Sequence, residues 1–166
     1  MDEALIIRHA DTDDINSIGF LAHQIWPATY GHILAKEQLD YMLQMMYSPA
    51  SLKKQMQQEH VFLIAELDEE PVGFASFSPT PDAGTFKLHK IYVRTDIQGK
   101  GLGKALINAV AEEIREKNAH CLRLNVNRHN MAKDFYERLG FVIVKEEDID
   151  IGNGYFMNDY VMEKTL

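Results

Sequence analysis

The arrangement of apolar positions changes along the chain, and each change marks an element. Leu5-Ile6-Ile7-Arg8 opens as a short strand, and Asp11, Thr12, Asp13 and Asp14 follow as helix caps and first-turn acids. Ile15, Ile18, Phe20, Leu21, Ile25 and Trp26 then recur at helical intervals until Pro27 interrupts them, and Ala28 to Ile33 carries no assignable pattern. A second helix is predicted over Lys36 to Tyr47, with Leu39, Met42, Leu43 and Met46 inward, and Ser48-Pro49 opens a short third one. Val61 to Ala65 and Val72 to Phe77 read as antiparallel strands around the turn Asp68-Glu69-Glu70-Pro71, with Thr85 to Val93 completing a meander. Leu102, Leu106, Ala109, Val110 and Ile114 share one helical face. Cys121 to Val126 is a strand, Met131 to Leu139 a helix closed by Gly140, and Phe141 to Glu146 and Tyr155 to Met162 are further strands. These elements predict an α/β (α+β) chain, one domain over residues 1–166, whose mixed sheet is flanked by helices and locally parallel around the unit at residue 100.

At 166 residues the chain can bury a core without disulfides or a structural metal. Its one cysteine, Cys121, excludes an intramolecular disulfide and points to a reducing, cytoplasmic setting. Apolar runs such as Val61 to Ala65 fall far short of the roughly 20 residues of a membrane helix, and Met1-Asp2-Glu3-Ala4-Leu5 is acidic rather than a basic leader. Seventeen Lys and Arg against 25 Asp and Glu give a net charge of −8, which disfavours nucleic acid and favours a cationic partner. No metal is expected: His-Glu-x-x-His is absent, and Asp148-x-Asp150 is followed by Gly152 where a calcium loop needs its next ligand.

The chemically informative stretch runs from Ile91 to Lys104, a strand, a polar loop and a glycine-rich helix entry. Glycines let backbone amides approach anionic oxygens, and the unpaired amides of a helix start stabilise their charge. Gly99-x-Gly101-x-Gly103 lacks the third interval of a dinucleotide fingerprint, and Ala105 stands where a nucleotide triphosphatase loop needs Ser or Thr. By itself the loop fits either a phosphate cradle or a tight turn.

Gln98-Gly99-Lys100-Gly101-Leu102-Gly103 and, downstream, Phe135-Tyr136-Glu137-Arg138-Leu139-Gly140-Phe141 resemble two signatures of the Gcn5-related N-acetyltransferases, the acetyl-CoA-dependent GNAT family. The resemblance, spanning Thr85 to Phe141, implies a mostly antiparallel sheet of six or seven strands with a splayed central parallel pair. It implies that the backbone of Ile91, Tyr92 and Val93 pairs with pantetheine amides. The amides of Gln98, Gly99, Lys100, Gly101, Leu102, Gly103 and Lys104 would receive the pyrophosphate. Asn130 is the implied pantetheine contact with Asn127 as its rival, because Asn130 lies two residues before Ala132 where the family pattern has three. Tyr136 matches the tyrosine that protonates the departing CoA thiolate, and a phenol of reference pKa about 10 carries its proton at neutral pH. Many relatives place a glutamate base on the strand before the loop; here Lys87-Leu88-His89-Lys90 has no acid, which leaves His89 or a chain of water molecules to take the amine's proton. Cys121 has no recognisable activating base, so direct attack is expected in place of an acetyl-enzyme.

Trp26-Pro27-Ala28-Thr29-Tyr30, Lys87 to Val93 and Gly154-Tyr155-x-Met157-x-Asp159-Tyr160-x-Met162 are similar to PaiA-type spermidine/spermine acetyltransferases. That similarity implies a polyamine or another small primary amine as acceptor. Trp26 and Tyr30 are then cleft aromatics or simply core, and Glu146, Glu147, Asp148 and Asp150 are ammonium partners or a solvated acidic loop. Acetylation of a protein amino terminus and a CoA-binding sensor without turnover are the alternatives. Family habit implies a homodimer.

Overall fold

A computed structural model describes residues 4–166; the acidic opening over Met1, Asp2 and Glu3, with that part of the domain expectation, lies outside the described residues. The strands are β1 (Leu5–His9), β2 (Val61–Leu67), β3 (Glu70–Pro79), β4 (Thr85–Val93), β5 (Cys121–Asn127), β6 (Val142–Gly152) and β7 (Tyr155–Thr165). The helices are α1 (Ile15–Tyr30), α2 (Lys36–Tyr47), α3 (Pro49–Gln57), α4 (Leu102–Arg115) and α5 (Ala132–Arg138). One seven-stranded sheet runs in the order β1-β2-β3-β4-β5-β7-β6, and β4–β5 is its parallel pair.

Strand periodicity divides the core into two layers. On β2, Phe62 and Ile64 join α1, α2 and α3 in one apolar cluster, while Leu63 and Ala65 face the other, built around Leu106, Ile107, Val110 and Ile114 of α4. A strand covered on both faces reads as an unbroken apolar run, which Val61 to Ala65 is. Each of the larger side chains among them, once withdrawn from water, contributes roughly 1.5–3 kcal/mol.

Three expectations change in the structure. Pro27 does not interrupt α1, which continues to Tyr30. An interior proline removes a backbone bond at a cost of about 3 kcal/mol. Here it lies on the exposed face, while Trp26 and Tyr30 beside it are buried with ring centroids 4.6 Å apart, so tertiary packing holds the last turn. Phe20 points outward and is 70% exposed, in spite of its place in the apolar series. Glu146 to Asp150 form no loop but belong to β6, which pairs with β7 from Val142 opposite Glu163 to Gly152 opposite Tyr155.

The arrangement at the middle of the sheet positions the site. β4 pairs with β5 only from Thr85 opposite Cys121 to Leu88 opposite Leu124, and beyond that point the two strands part. On its other side β4 stays paired with β3, with a register shift: Phe77 faces Leu88 and Ser76 faces Lys90, which leaves His89 as the extra residue of a β-bulge. The bulge explains why Leu88 and Ile91, an odd interval apart, both pack toward the α4 cluster.

Candidate active site

Where β4 and β5 part, a cavity of about 580 Å³ opens. Its walls are the free edge of β4 from Leu88 to Val93, the loop residues Gln98, Gly99 and Gly101, the start of α4 through Leu102, Gly103 and Lys104, and Asn130, Phe135 and Tyr136 from the β5–α5 side. Tyr30 of α1 also lines it. Thirteen of the residues singled out in the sequence therefore share one cavity: Tyr30, His89, Ile91, Tyr92, Val93, Gln98, Gly99, Gly101, Leu102, Gly103, Lys104, Asn130 and Tyr136. Lys100 is exposed and outside this lining, and Trp26 and Asn127 border a second, smaller cavity.

The loop has the form an anion requires. Gly101, at φ 77°, takes the left-handed conformation at the entry to α4, and no atom lies within 4 Å of where its Cβ would stand. The first intrahelical bond runs from the Ala105 amide to the Gly101 carbonyl at 3.0 Å, so the amides of Leu102, Gly103 and Lys104 have no carbonyl of their own helix to bond. Gly103 is needed for packing: a Cβ there would stand 3.3 Å from the Phe135 ring. Arg94 fixes the strand-to-loop corner through ion pairs to Glu70 at 2.8 Å and Asp96 at 2.6 Å.

Tyr136 is buried on α5 and makes no hydrogen bond among the described residues, so its hydroxyl is uncommitted. Burial, with a smaller contribution from Tyr30, raises its pKa and keeps the phenol protonated. Asn130 accepts from the Ala132 amide at 2.9 Å through its side-chain oxygen and also hydrogen-bonds the Tyr30 hydroxyl; Asn127 accepts from the His129 amide at 2.9 Å but borders the smaller cavity.

His89 sits at the bulge between the two cavities. Its Nε2 is 2.6 Å from Ser78 Oγ, and its ring stacks on His60 at 4.2 Å. Burial first, then the charges of His60, Lys87 and Lys90, lower its pKa to about 3. Burial and the neighbouring positive charges thus favour the neutral imidazole. Lys90 beside it is buried, donates to Gln55 Oε1 at 2.7 Å and lies 5.5 Å from the Tyr47 ring centroid. Desolvation lowers its pKa to about 8.

The second cavity, about 220 Å³, lies against the same junction and shares Tyr30, Leu88, His89, Lys90, Tyr92 and Asn125 with the first. Trp26 and Tyr30 border it, Trp26 standing 5.7 Å from the Tyr92 ring, and the Tyr30 and Tyr92 hydroxyls are 2.9 Å apart. Of the acids singled out in the sequence, Glu146 and Asp148 pair with Arg128, Glu147 pairs with Lys145 at 2.7 Å, and Asp150 accepts from the Gly152 amide. The acid that borders the cavity is instead Asp159, which sequence reading did not single out as a site residue. Its signal was present: Met157, Asp159 and Val161 alternate on one strand face, and an acid within such a series is out of place unless it has work there.

The GNAT acetyltransferase domain model matches residues 33–164 of this chain. The chain belongs to the GNAT family of N-acetyltransferases. It is 27% identical over 164 residues to the spermidine N(1)-acetyltransferase of Thermoplasma acidophilum, covering 95% of both chains. An uncharacterized N-acetyltransferase of Methanocaldococcus jannaschii is 34% identical over 89 residues, spanning 50% of this chain and 39% of that one. The crystal structure of a PaiA N-acetyltransferase from Thermoplasma acidophilum in complex with coenzyme A superposes with a TM-score of 0.84 at 25% identity, covering 98% of this chain and 99% of that one. Among the described residues of this GNAT chain no helix is long and apolar enough to cross a membrane, and no group of three or more His, Cys, Asp or Glu could hold a metal ion.

Proposed function

We propose that the larger cavity binds acetyl-CoA and that this GNAT chain passes the acetyl group directly to a primary amine of the polyamine class. The observation that carries this reading is the junction itself, where a free strand edge, the amide-bearing entry of α4 and the Tyr136 hydroxyl border one cavity. In this reading Ile91, Tyr92 and Val93 pair with the pantetheine as with an added strand, and the amides from Gln98 to Lys104 take the pyrophosphate. Asn130 Nδ2 contacts the pantetheine arm. The near-full-length likeness to a spermidine N(1)-acetyltransferase supports the polyamine class, with Trp26 and Tyr30 as the aromatic wall of the acceptor cleft. The single, half-buried Cys121 supports a reducing, cytoplasmic setting.

The proton inventory closes without a protein base. The ammonium, of reference pKa about 10.4, loses one proton to solvent before attack, so that the amine enters the step with its lone pair free. The freed lone pair forms the carbon–nitrogen bond, the carbon–sulfur bond breaks, and Tyr136 Oη gives its proton to the sulfur that leaves with the electron pair. The second nitrogen proton then restores the phenol. Holding both partners at one junction supplies much of the acceleration.

The test is thiol release from acetyl-CoA with spermidine, spermine, amino acids and N-terminal peptides, each product weighed by mass spectrometry. Polyamine-dependent release with a monoacetylated product is the expected result. Coenzyme A binding with no release on any amine would favour the sensor.

A further inference from the structure

The smaller cavity carries a feature that acetyl-CoA binding does not use. Asp159 is 1% exposed, and its Oδ1 has no hydrogen-bond partner among the described residues. Its Oδ2 receives only a 3.3 Å bond from Asn125 Nδ2, which it shares with Glu147. A buried carboxylate left half-satisfied is destabilising, because desolvation penalises its charge and no donor compensates. A donor arriving from outside the chain would satisfy it.

Its surroundings define that donor. Asp159 and Asn125 line the cavity together with the apolar Met42, Met46, Met157 and Phe156; Lys87 and Lys90 also border it, Lys90 with its ammonium donated to Gln55. The charges acting on the carboxylate are Lys87, Glu147 and Arg128. Neither cation makes an ion pair with it: Arg128 is engaged by Glu146 and Asp148, and Lys87 lines the cavity beyond ion-pair distance of the carboxylate. Flexible methionines can repack around an entering alkyl stem without moving the backbone. The cavity also reaches the acetyl-transfer junction through His89, Lys90 and Tyr92.

We infer that this cavity is the acceptor site and that Asp159 Oδ1 is the anchor for an ammonium group of a slim, unbranched alkylamine. The inference deepens the proposed transfer and rests on it for the identity of the reaction, though not for the binding of the amine. An apolar stem along Met42, Met46 and Met157 with a cationic head at Asp159 describes an alkyl-stemmed amine, which a polyamine end also presents.

Calorimetric titration of the CoA-loaded protein with spermidine, n-hexylamine and the neutral hexan-1-ol tests it. Asp159→Asn removes the charge at nearly constant volume, and Asp159→Ser removes it with a smaller side chain. In both variants the affinities for spermidine and hexylamine should fall by about tenfold or more, while those for coenzyme A and hexanol hold. Unchanged amine affinity in a variant that still binds coenzyme A would overturn the assignment, as would a wild-type protein that binds neither amine. Thiol release on the same samples separates the two readings: Asp159-dependent amine binding without thiol release upholds the anchor and removes the transfer.

Discussion

The two cavities that meet at Tyr30, His89 and Tyr92 are built by opposite means. The larger is made mostly of backbone: an unpaired strand edge, a left-handed glycine and the first amides of a helix. The smaller is made of side chains brought from α1, α2, β4, β5, β6 and β7. A backbone site tolerates sequence change wherever the main chain keeps its path. A side-chain site changes specificity with each substitution. One fold can thus retain a common acyl donor while its acceptor varies.

The largest effect should come from the side chain that the larger cavity cannot replace with backbone. Tyr136→Phe is expected to lower turnover by about 100-fold or more while coenzyme A affinity holds, since only the proton for the departing sulfur is lost. Steady-state rates beside calorimetric affinities check this, and an equal loss in both would make Tyr136 a packing residue. Next is the backbone itself. Gly101→Val places a β-branched residue at φ 77° and should weaken coenzyme A binding by about tenfold, the equivalent of 1–2 kcal/mol of left-handed strain. Amine affinity in the smaller cavity should be unaffected.

A subtler effect concerns the bulge between the cavities. Folded His89 has a pKa of about 3, below the 6.5 of an ordinary imidazole, so between these values the unfolded chain binds more protons and stability falls as pH falls. His89→Gln, which keeps a partner for Ser78, should flatten that decline, and thermal melts from pH 7 to pH 4 should show the variant gaining about 5 °C on the wild type at the acid end. Parallel melting curves would mean that the His89 pKa is not depressed. The smallest effect is at Cys121, whose thiol pKa is raised by burial and which lines neither cavity. Cys121→Ala should turn over at the wild-type rate, before and after exposure to a mild oxidant.

The same contrast decides what could be read in advance. Backbone devices leave local marks, so Gly99, Gly101 and Gly103 ahead of an amphipathic helix, with Tyr136 downstream, disclosed most of the larger cavity. The strand order around it followed from short connections and the crossover through α4. The smaller cavity left a fainter mark, the acid within the Met157–Asp159–Val161 alternation, because Met42, Asn125 and Asp159 lie far apart in sequence and meet only through the β5–β7 pairing and the docking of α2. The surroundings of His89 were equally hidden: its position is local, but its pKa is lowered by burial and by His60, which arrives from beyond α3. Pro27 misled because Trp26 and Tyr30 anchor the helix on both sides of it.

Initial velocities measured over a matrix of acetyl-CoA and spermidine concentrations test most directly whether both cavities load together and the acetyl group crosses between them. The account predicts double-reciprocal lines that intersect, with no acetyl mass on the protein when acetyl-CoA is supplied alone. Parallel lines accompanied by an acetylated protein would contradict it, and would move the chemistry to a nucleophile on the chain.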